Sequence, residues 1–177
     1  IRGMYIMGEN PMLSDPTLTK VEETLRGLDF LAVSDIFLTR TAQLAQVVFP
    51  AASFAEKSGS FTNTERRVQM VRQAVAPPGE CRADSEIIMA LANRLGYAMD
   101  YDSSAEIMEE IALLAPIYGG IYHDRLDRGW GLQWPCWDRD HPGTPFLHKY
   151  YFTRGKGCFL PTSHIEPSGN AVRKVAT

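Results

Sequence analysis

The sequence predicts an α/β fold: a doubly wound, mostly parallel sheet in three layers, followed by an irregular C-terminal extension. Three observations carry this expectation. Short continuous apolar runs at residues 4–7, 30–34 and 47–49 have the length and the lack of alternation of strands buried on both faces. Stretches with helical apolar spacing separate them. Each run stops at a residue that breaks or turns the chain: Gly8, Asp35 and Pro50.

The first strand runs into Gly8-Glu9-Asn10-Pro11, which reads as a turn. A helix is expected next, capped by Ser14 or Asp15, with Pro16 in its first turn. Leu18, Val21, Leu25 and Leu28 form its apolar stripe, and Gly27 marks its end. After the strand at 30–34, a short helix at 39–45 feeds the strand at 47–49. Residues 51–64 read as a long loop rich in hydroxyls, amide and charge, more than a plain connector needs. A helix from Asp84 to Leu95 carries Ile87, Ile88, Leu91, Ala92 and Leu95 on one face and closes at Gly96. Another spans residues 104–114, opened by Ser103 or Ser104 and closed before Pro116.

From Ile117 the periodicity fades. Trp130, Trp134 and Trp137, among several prolines, point to an aromatic-packed segment whose large rings belong in a core. Residues 146–160 alternate weakly around Gly155-Lys156-Gly157, compatible with a hairpin. The expected organisation is therefore an α/β domain at 1–115 and an extension at 116–177.

Composition narrows the function classes. With 45% hydrophobic and 22% charged residues and a net charge of -3, the chain has neither a basic nucleic-acid footprint nor a membrane-binding surface. Its apolar runs fall well short of the roughly 18 residues of a membrane span. Cys81, Cys136 and Cys158 lie too far apart for a Cys-x-x-Cys metal or cluster motif, and their sparseness fits a reducing cytoplasm. His123, His141, His148 and His164 show no paired ligand spacing. Because the chain opens on Ile1-Arg2-Gly3 and runs straight into a strand, a fragment of a longer protein is expected.

Parallel sheets bind ligands beyond the carboxyl ends of their strands. The residues there are Gly8, Glu9, Asn10, Ser34, Asp35 and Thr39, with the 51–64 loop nearby. A carboxylate after a buried strand accepts hydrogen bonds from an exocyclic amine, a ring N–H or a ribose hydroxyl. Asp35 alone also reads as a helix N-cap, and the Gly8 turn alone reads as a turn. The residues by themselves lead to a nucleotide-type ligand and no further.

The strings "MGENP", "VSDIFLTRTAQLAQVVFPAASFAEKSGSFTNTERRVQ" and "DSEIIMALANRLG", in that order, resemble the third domain of the molybdopterin oxidoreductase superfamily. "PIYGGIYHDRLDRGWGLQWPCWDRDHPGTPFLH" is similar to the equivalent region of formate dehydrogenase alpha subunits, which share its Gly-x-Gln-Trp-Pro-Cys core. The resemblance covers about residues 4–160. It implies a bis(molybdopterin guanine dinucleotide) cofactor holding molybdenum or tungsten, formate as substrate and carbon dioxide as product. It also implies iron–sulfur clusters elsewhere in the parent, further domains of the same subunit and electron-transfer partner subunits.

Carried over by position, Gly8, Glu9 and Asn10 match a loop approaching one guanine dinucleotide. Ser34, Asp35 and Thr39 match the set recognising its guanosine end, and Asp84 matches an acidic residue near the same guanine. With the resemblance, cofactor binding takes precedence over the cap for Asp35, while Asp84 stays open between the two. Glu56, Gly59 and Phe61 to Asn63 match a loop closing over the cofactor. Arg66 and Arg67 read either as phosphate partners or as ion-pair partners of Glu65 or Glu56. The family's metal-ligating cysteine or selenocysteine, its adjacent histidine and its substrate-binding arginine have no counterpart here, so no catalytic residue is assigned. A nitrate reductase type enzyme and the non-catalytic large subunit of a respiratory NADH dehydrogenase are the alternatives. The Gly-Leu-Gln-Trp-Pro-Cys segment argues against the first, and Asp35 with Thr39 against the second.

Overall fold

A computed structural model describes residues 1–152 and 154–161. Three strands, β1 (Gly3–Met7), β2 (Phe30–Asp35) and β3 (Val47–Pro50), form a parallel sheet in the order β1-β2-β3. The register aligns Ile6 with Val33 and Val33 with Val48. The chain is thus an α/β fold built on a parallel sheet, as expected.

Side chains alternate across each strand, so one sheet face collects Ile6, Leu31 and Val33. Two helices connect β1 to β2: the single turn α1 (Pro11–Ser14) and α2 (Leu18–Arg26). Met12, Val21, Leu25 and Leu28 from this connection pack on that face with Ala42. The helix expected with Ser14 or Asp15 as its cap therefore starts later, at Leu18 with Thr17 in the cap position, and α1 is an extra turn of helix in the stretch expected only to turn. Pro16 disfavours helical backbone at the residue before it, and Asp15 is extended at φ -79° and ψ 140°. The helix expected at 39–45 is a single 3-10 turn, Ala42–Leu44. Beyond β3, Ala51 forms a parallel bridge with Arg82. This leads the chain into α3 (Asp84–Arg94), which closes with Tyr97 N donating to Ala92 O at 3.0 Å and Gly96 N to Asn93 O at 3.1 Å. That pattern needs the left-handed backbone that Gly96 supplies at φ +85°.

A second, antiparallel sheet occupies what reads in the sequence as loop and irregular extension. Strands β4 (Gly59–Thr62) and β5 (Arg67–Val71) form a hairpin, and β6 (Leu132–Gln133) pairs with β5. The hydroxyl-rich stretch at 51–64 thus contains strand β4. Its turn is built by Asn63, whose Oδ1 accepts from Glu65 N at 3.1 Å and Arg67 N at 2.9 Å, while Arg66 adopts φ 66°. Helices α4 (Ser104–Leu114) and α5 (His123–Leu126) supply Met108 and Leu126 to a second core with Val68, Ile121 and Cys136.

Residues 1–145 accordingly form one compact unit, which includes the stretch 116–145. Residues from Phe146 onward form a second unit, in which Phe152 and Gly155 make a tight antiparallel bridge. The expectation that three tryptophans sit in a core holds for one. Trp134 packs into the second core, but Trp130 is 89% exposed and Trp137 52% exposed. No described helix is long and apolar enough to cross a membrane.

Candidate functional site

Backbone hydrogen bonds line up the strand ends in a row. Gly8 N donates to Ser34 O at 2.8 Å, Ala51 N to Asp35 O at 3.1 Å, and Ala52 N to Arg82 O at 2.8 Å. With neighbouring strands about 4.8 Å apart, the edge from Gly8 to the segment before Asp84 spans roughly 15 Å. Gly8, Ser34, Asp35 and Asp84 therefore share the carboxyl edge of one sheet.

Each has a distinct environment. Gly8 has φ +61°, and nothing lies within 4 Å of where a Cβ would project, so the backbone there faces open space. Glu9 is exposed. Ser34 is fully buried, and its hydroxyl has no partner among the described residues. A buried hydroxyl without a partner costs free energy, and such groups call for an explanation in what they bind.

Asp35 has no helix to cap. No helix starts beside it, and its one hydrogen bond from a neighbour is the weak one that Oδ1 accepts from Phe37 N at 3.3 Å. The rest of its carboxylate is unused among the described residues. Thr39 Oγ1 accepts from Ala42 N at 3.1 Å, which fixes the 3-10 turn and leaves the hydroxyl proton able to donate outward.

Asn10 and Asp84 are already engaged by side chains of the same chain. Asn10 Oδ1 is occupied by Thr41, whose hydroxyl donates to it at 2.7 Å. Asp84 is the first residue of α3 and not its cap, a place held by Ala83, and its carboxylate is paired with Lys57 Nζ. A groove of about 320 Å³ opens beside this pair, lined by Ser60, Ser104, Ile107 and Met108 among others.

The residues matched to a closing loop are used locally. Glu56 completes a capping box with Ser53, accepting from Ser53 N at 2.8 Å, and Asn63 holds the hairpin turn. Gly59 is buried against Ser104, and Phe61 is 37% exposed. Arg67 pairs with Glu65 at 2.7 Å. That bond and those from Asn63 hold the Glu65 carboxyl below the usual glutamate range. Arg66 is half-buried and, among the described residues, pairs with no acid. It donates to the carbonyls of Trp134, Thr144 (3.1 Å) and Pro145 (3.2 Å), with its guanidinium 5.5 Å from the Trp134 ring centroid.

A model of the molybdopterin oxidoreductase family matches residues 1–94. The chain belongs to the molybdopterin oxidoreductase family. Over 94% of its length it is 51% identical to the alpha subunit of an F420-dependent formate dehydrogenase of Methanocaldococcus jannaschii. Over 93% it is 47% identical to the alpha subunit of F420-dependent formate dehydrogenase 2 of Methanococcus maripaludis. A probable oxidoreductase of Bacillus subtilis is 43% identical over 94% of the chain, which corresponds to 17% of that protein. The chain spans 25% of the length of each of the two formate dehydrogenase subunits. Among solved structures, acetylene hydratase from Pelobacter acetylenicus shares the fold, with a TM-score of 0.58 and 21% identity over 75% of this chain and 18% of that one.

In this member of the molybdopterin oxidoreductase family, Thr41 is fully buried and joins Asn10 to Met12, a role almost silent in the sequence. Only its adjacency to Thr39 hinted at it.

Proposed function

We propose that the chain is the dinucleotide-cradling part of the alpha subunit of a molybdenum- or tungsten-dependent formate dehydrogenase, binding one half of a bis(molybdopterin guanine dinucleotide). The reading is supported above all by identity of 47–51% to formate dehydrogenase alpha subunits across nearly the whole chain. The residues present fit such a group. An underused carboxylate, an orphaned buried hydroxyl and an open glycine turn lie on one sheet edge.

In this reading Asp35 accepts from the guanine ring N–H and exocyclic amine, two charge-assisted bonds that only a base with adjacent donors can make. Thr39 donates its free hydroxyl proton to the guanosine end, and Ser34 gains the partner it lacks. Gly8, Glu9 and Asn10 bring backbone close to the phosphates, where the absence of a side chain at Gly8 leaves room. Asp84 contributes through the oxygen that Lys57 leaves free. The chemistry supplied by the bound group is the two-electron oxidation of formate to carbon dioxide with release of a proton. This chain's residues hold and orient that group, as proteins do for cofactors that carry the redox step.

The parent would then bring the metal ligand, the substrate-binding groups and iron–sulfur clusters from its other domains, and pass electrons to partner subunits. The three free cysteines fit a cytoplasmic home. The test is to purify the full-length subunit, denature it in acid and quantify metal and guanine nucleotide. Two guanine nucleotides per molybdenum or tungsten, together with formate-dependent dye reduction, are expected. Absence of guanine nucleotide, or metal without formate oxidation, contradicts the proposal.

A further inference from the structure

We propose that Thr41 is a positioning residue for the dinucleotide: its hydroxyl locks the turn after β1 to the turn after β2 and so sets the spacing between the two halves of the binding edge. This rests on the cofactor reading given above and adds a residue that acts without touching the ligand.

The geometry is specific. The Thr41 hydroxyl donates to Asn10 Oδ1 at 2.7 Å and accepts from Met12 N at 3.1 Å, and the Thr41 backbone N–H also points at Asn10 Oδ1 at 3.4 Å. Thr41 is 0% exposed and Met12 is 2% exposed. Among the described residues these are the only side-chain hydrogen bonds between the segment after β1 and the segment after β2. Asn10 also opens α1, its carbonyl accepting from Leu13 N at 2.8 Å and Ser14 N at 3.0 Å. Thr41 is itself held by the turn that Thr39 starts, with Gln43 N donating to Thr39 O at 2.9 Å.

Two consequences follow. The hydroxyl is committed on both its donor and its acceptor side, so Thr41 is not a ligand-contacting group. Asn10 spends its carbonyl oxygen on the same contact, so toward a ligand it presents only its amide hydrogens. A valine at position 41 has nearly the same shape, yet it strands a buried N–H at Met12 and frees Asn10. The loop carrying Gly8 then loses its fixed distance from Asp35 and Thr39. A ligand that must meet both loops at once is sensitive to such a shift.

The experiment uses the full-length subunit carrying Thr41→Val or Thr41→Ser. Guanine nucleotide per subunit is measured after dialysis, together with the thermal unfolding midpoint. Thr41→Val is expected to lose dinucleotide at least about tenfold faster than wild type, and Thr41→Ser to stay within about twofold of it. Wild-type retention in Thr41→Val, or equal loss in both variants, overturns the inference. So does a lowered midpoint with retention unchanged. If Thr41→Val does not fold, Thr41→Ala removes the same hydroxyl contacts to Asn10 and Met12, and the same loss is expected; undiminished retention overturns the inference. Wild-type subunit without guanine nucleotide removes both the cofactor reading and this one, whereas wild type with it and Thr41→Val undiminished removes this one alone.

Discussion

Lys57 Nζ is paired with Asp84 Oδ2, joining the chain just before β4 to the first turn of α3. The two side chains keep only 21% and 31% of their exposure, so the pair is more shielded than most surface ion pairs. It also sits where the positive end of α3 favours the carboxylate. Replacing Lys57 with Met is expected to lower stability by about 1 kcal/mol, read from denaturant midpoints. In the full-length subunit it should leave guanine nucleotide content unchanged, whereas Asp84→Asn should lower both. Equal nucleotide content in the two variants would assign Asp84 a purely structural role.

Arg66 is the clasp of the second sheet. One guanidinium serves the carbonyls of Trp134, Thr144 and Pro145 and lies over the Trp134 ring. A planar fork reaches acceptors spread around it, whereas the three donors of a lysine ammonium converge on one atom. Arg66→Ala is expected to cost about 2–3 kcal/mol, as for other buried hydrogen bonds to a charged group. Arg66→Lys should recover less than half of that loss. A lysine variant as stable as wild type would show that charge alone suffices.

His123 is expected to make stability pH-dependent. Burial lowers its pKa below 6.5, with Asp127 opposing and Arg72 assisting, and its buried Nε2 has no partner among the described residues. The unfolded chain therefore binds the proton more readily than the folded one. Stability from this group is fully present above the unfolded value of about 6.5 and is lost as pH falls through the lower folded value. Midpoints measured from pH 8 down to pH 5 should fall more steeply for wild type than for His123→Gln. Parallel curves would remove His123 from the account.

How legible all this was depends on the range of the interactions involved. The parallel strands and α3 were readable because their signals are local: unbroken apolar runs, and a stripe from Ile87 to Leu95 ended by Gly96. The hairpin of β4 and β5 was hidden because Ser60, Thr62 and Asn63 look like loop residues until Val68 finds its core. Trp130 and Trp137 misled because aromatic content says nothing of which ring meets a partner. Asp35 is legible as a strand-end carboxylate because the apolar run before it stops there. Asn10 is legible in the sequence as a turn residue, but its bond partner lies 31 residues away. Thr41 left almost no trace in the sequence, since a buried hydroxyl reveals itself only through the two segments it joins.

The central claim is that Asp35 holds guanine. The most direct measurement is guanine nucleotide and metal per subunit in full-length Asp35→Ala, with the unfolding midpoint taken on the same preparation. Loss of charge-assisted bonds worth about 1.5–3 kcal/mol each predicts at least about tenfold weaker retention, with the midpoint nearly unchanged because Asp35 caps no helix. Wild-type nucleotide and metal content, with or without a lowered midpoint, would contradict it.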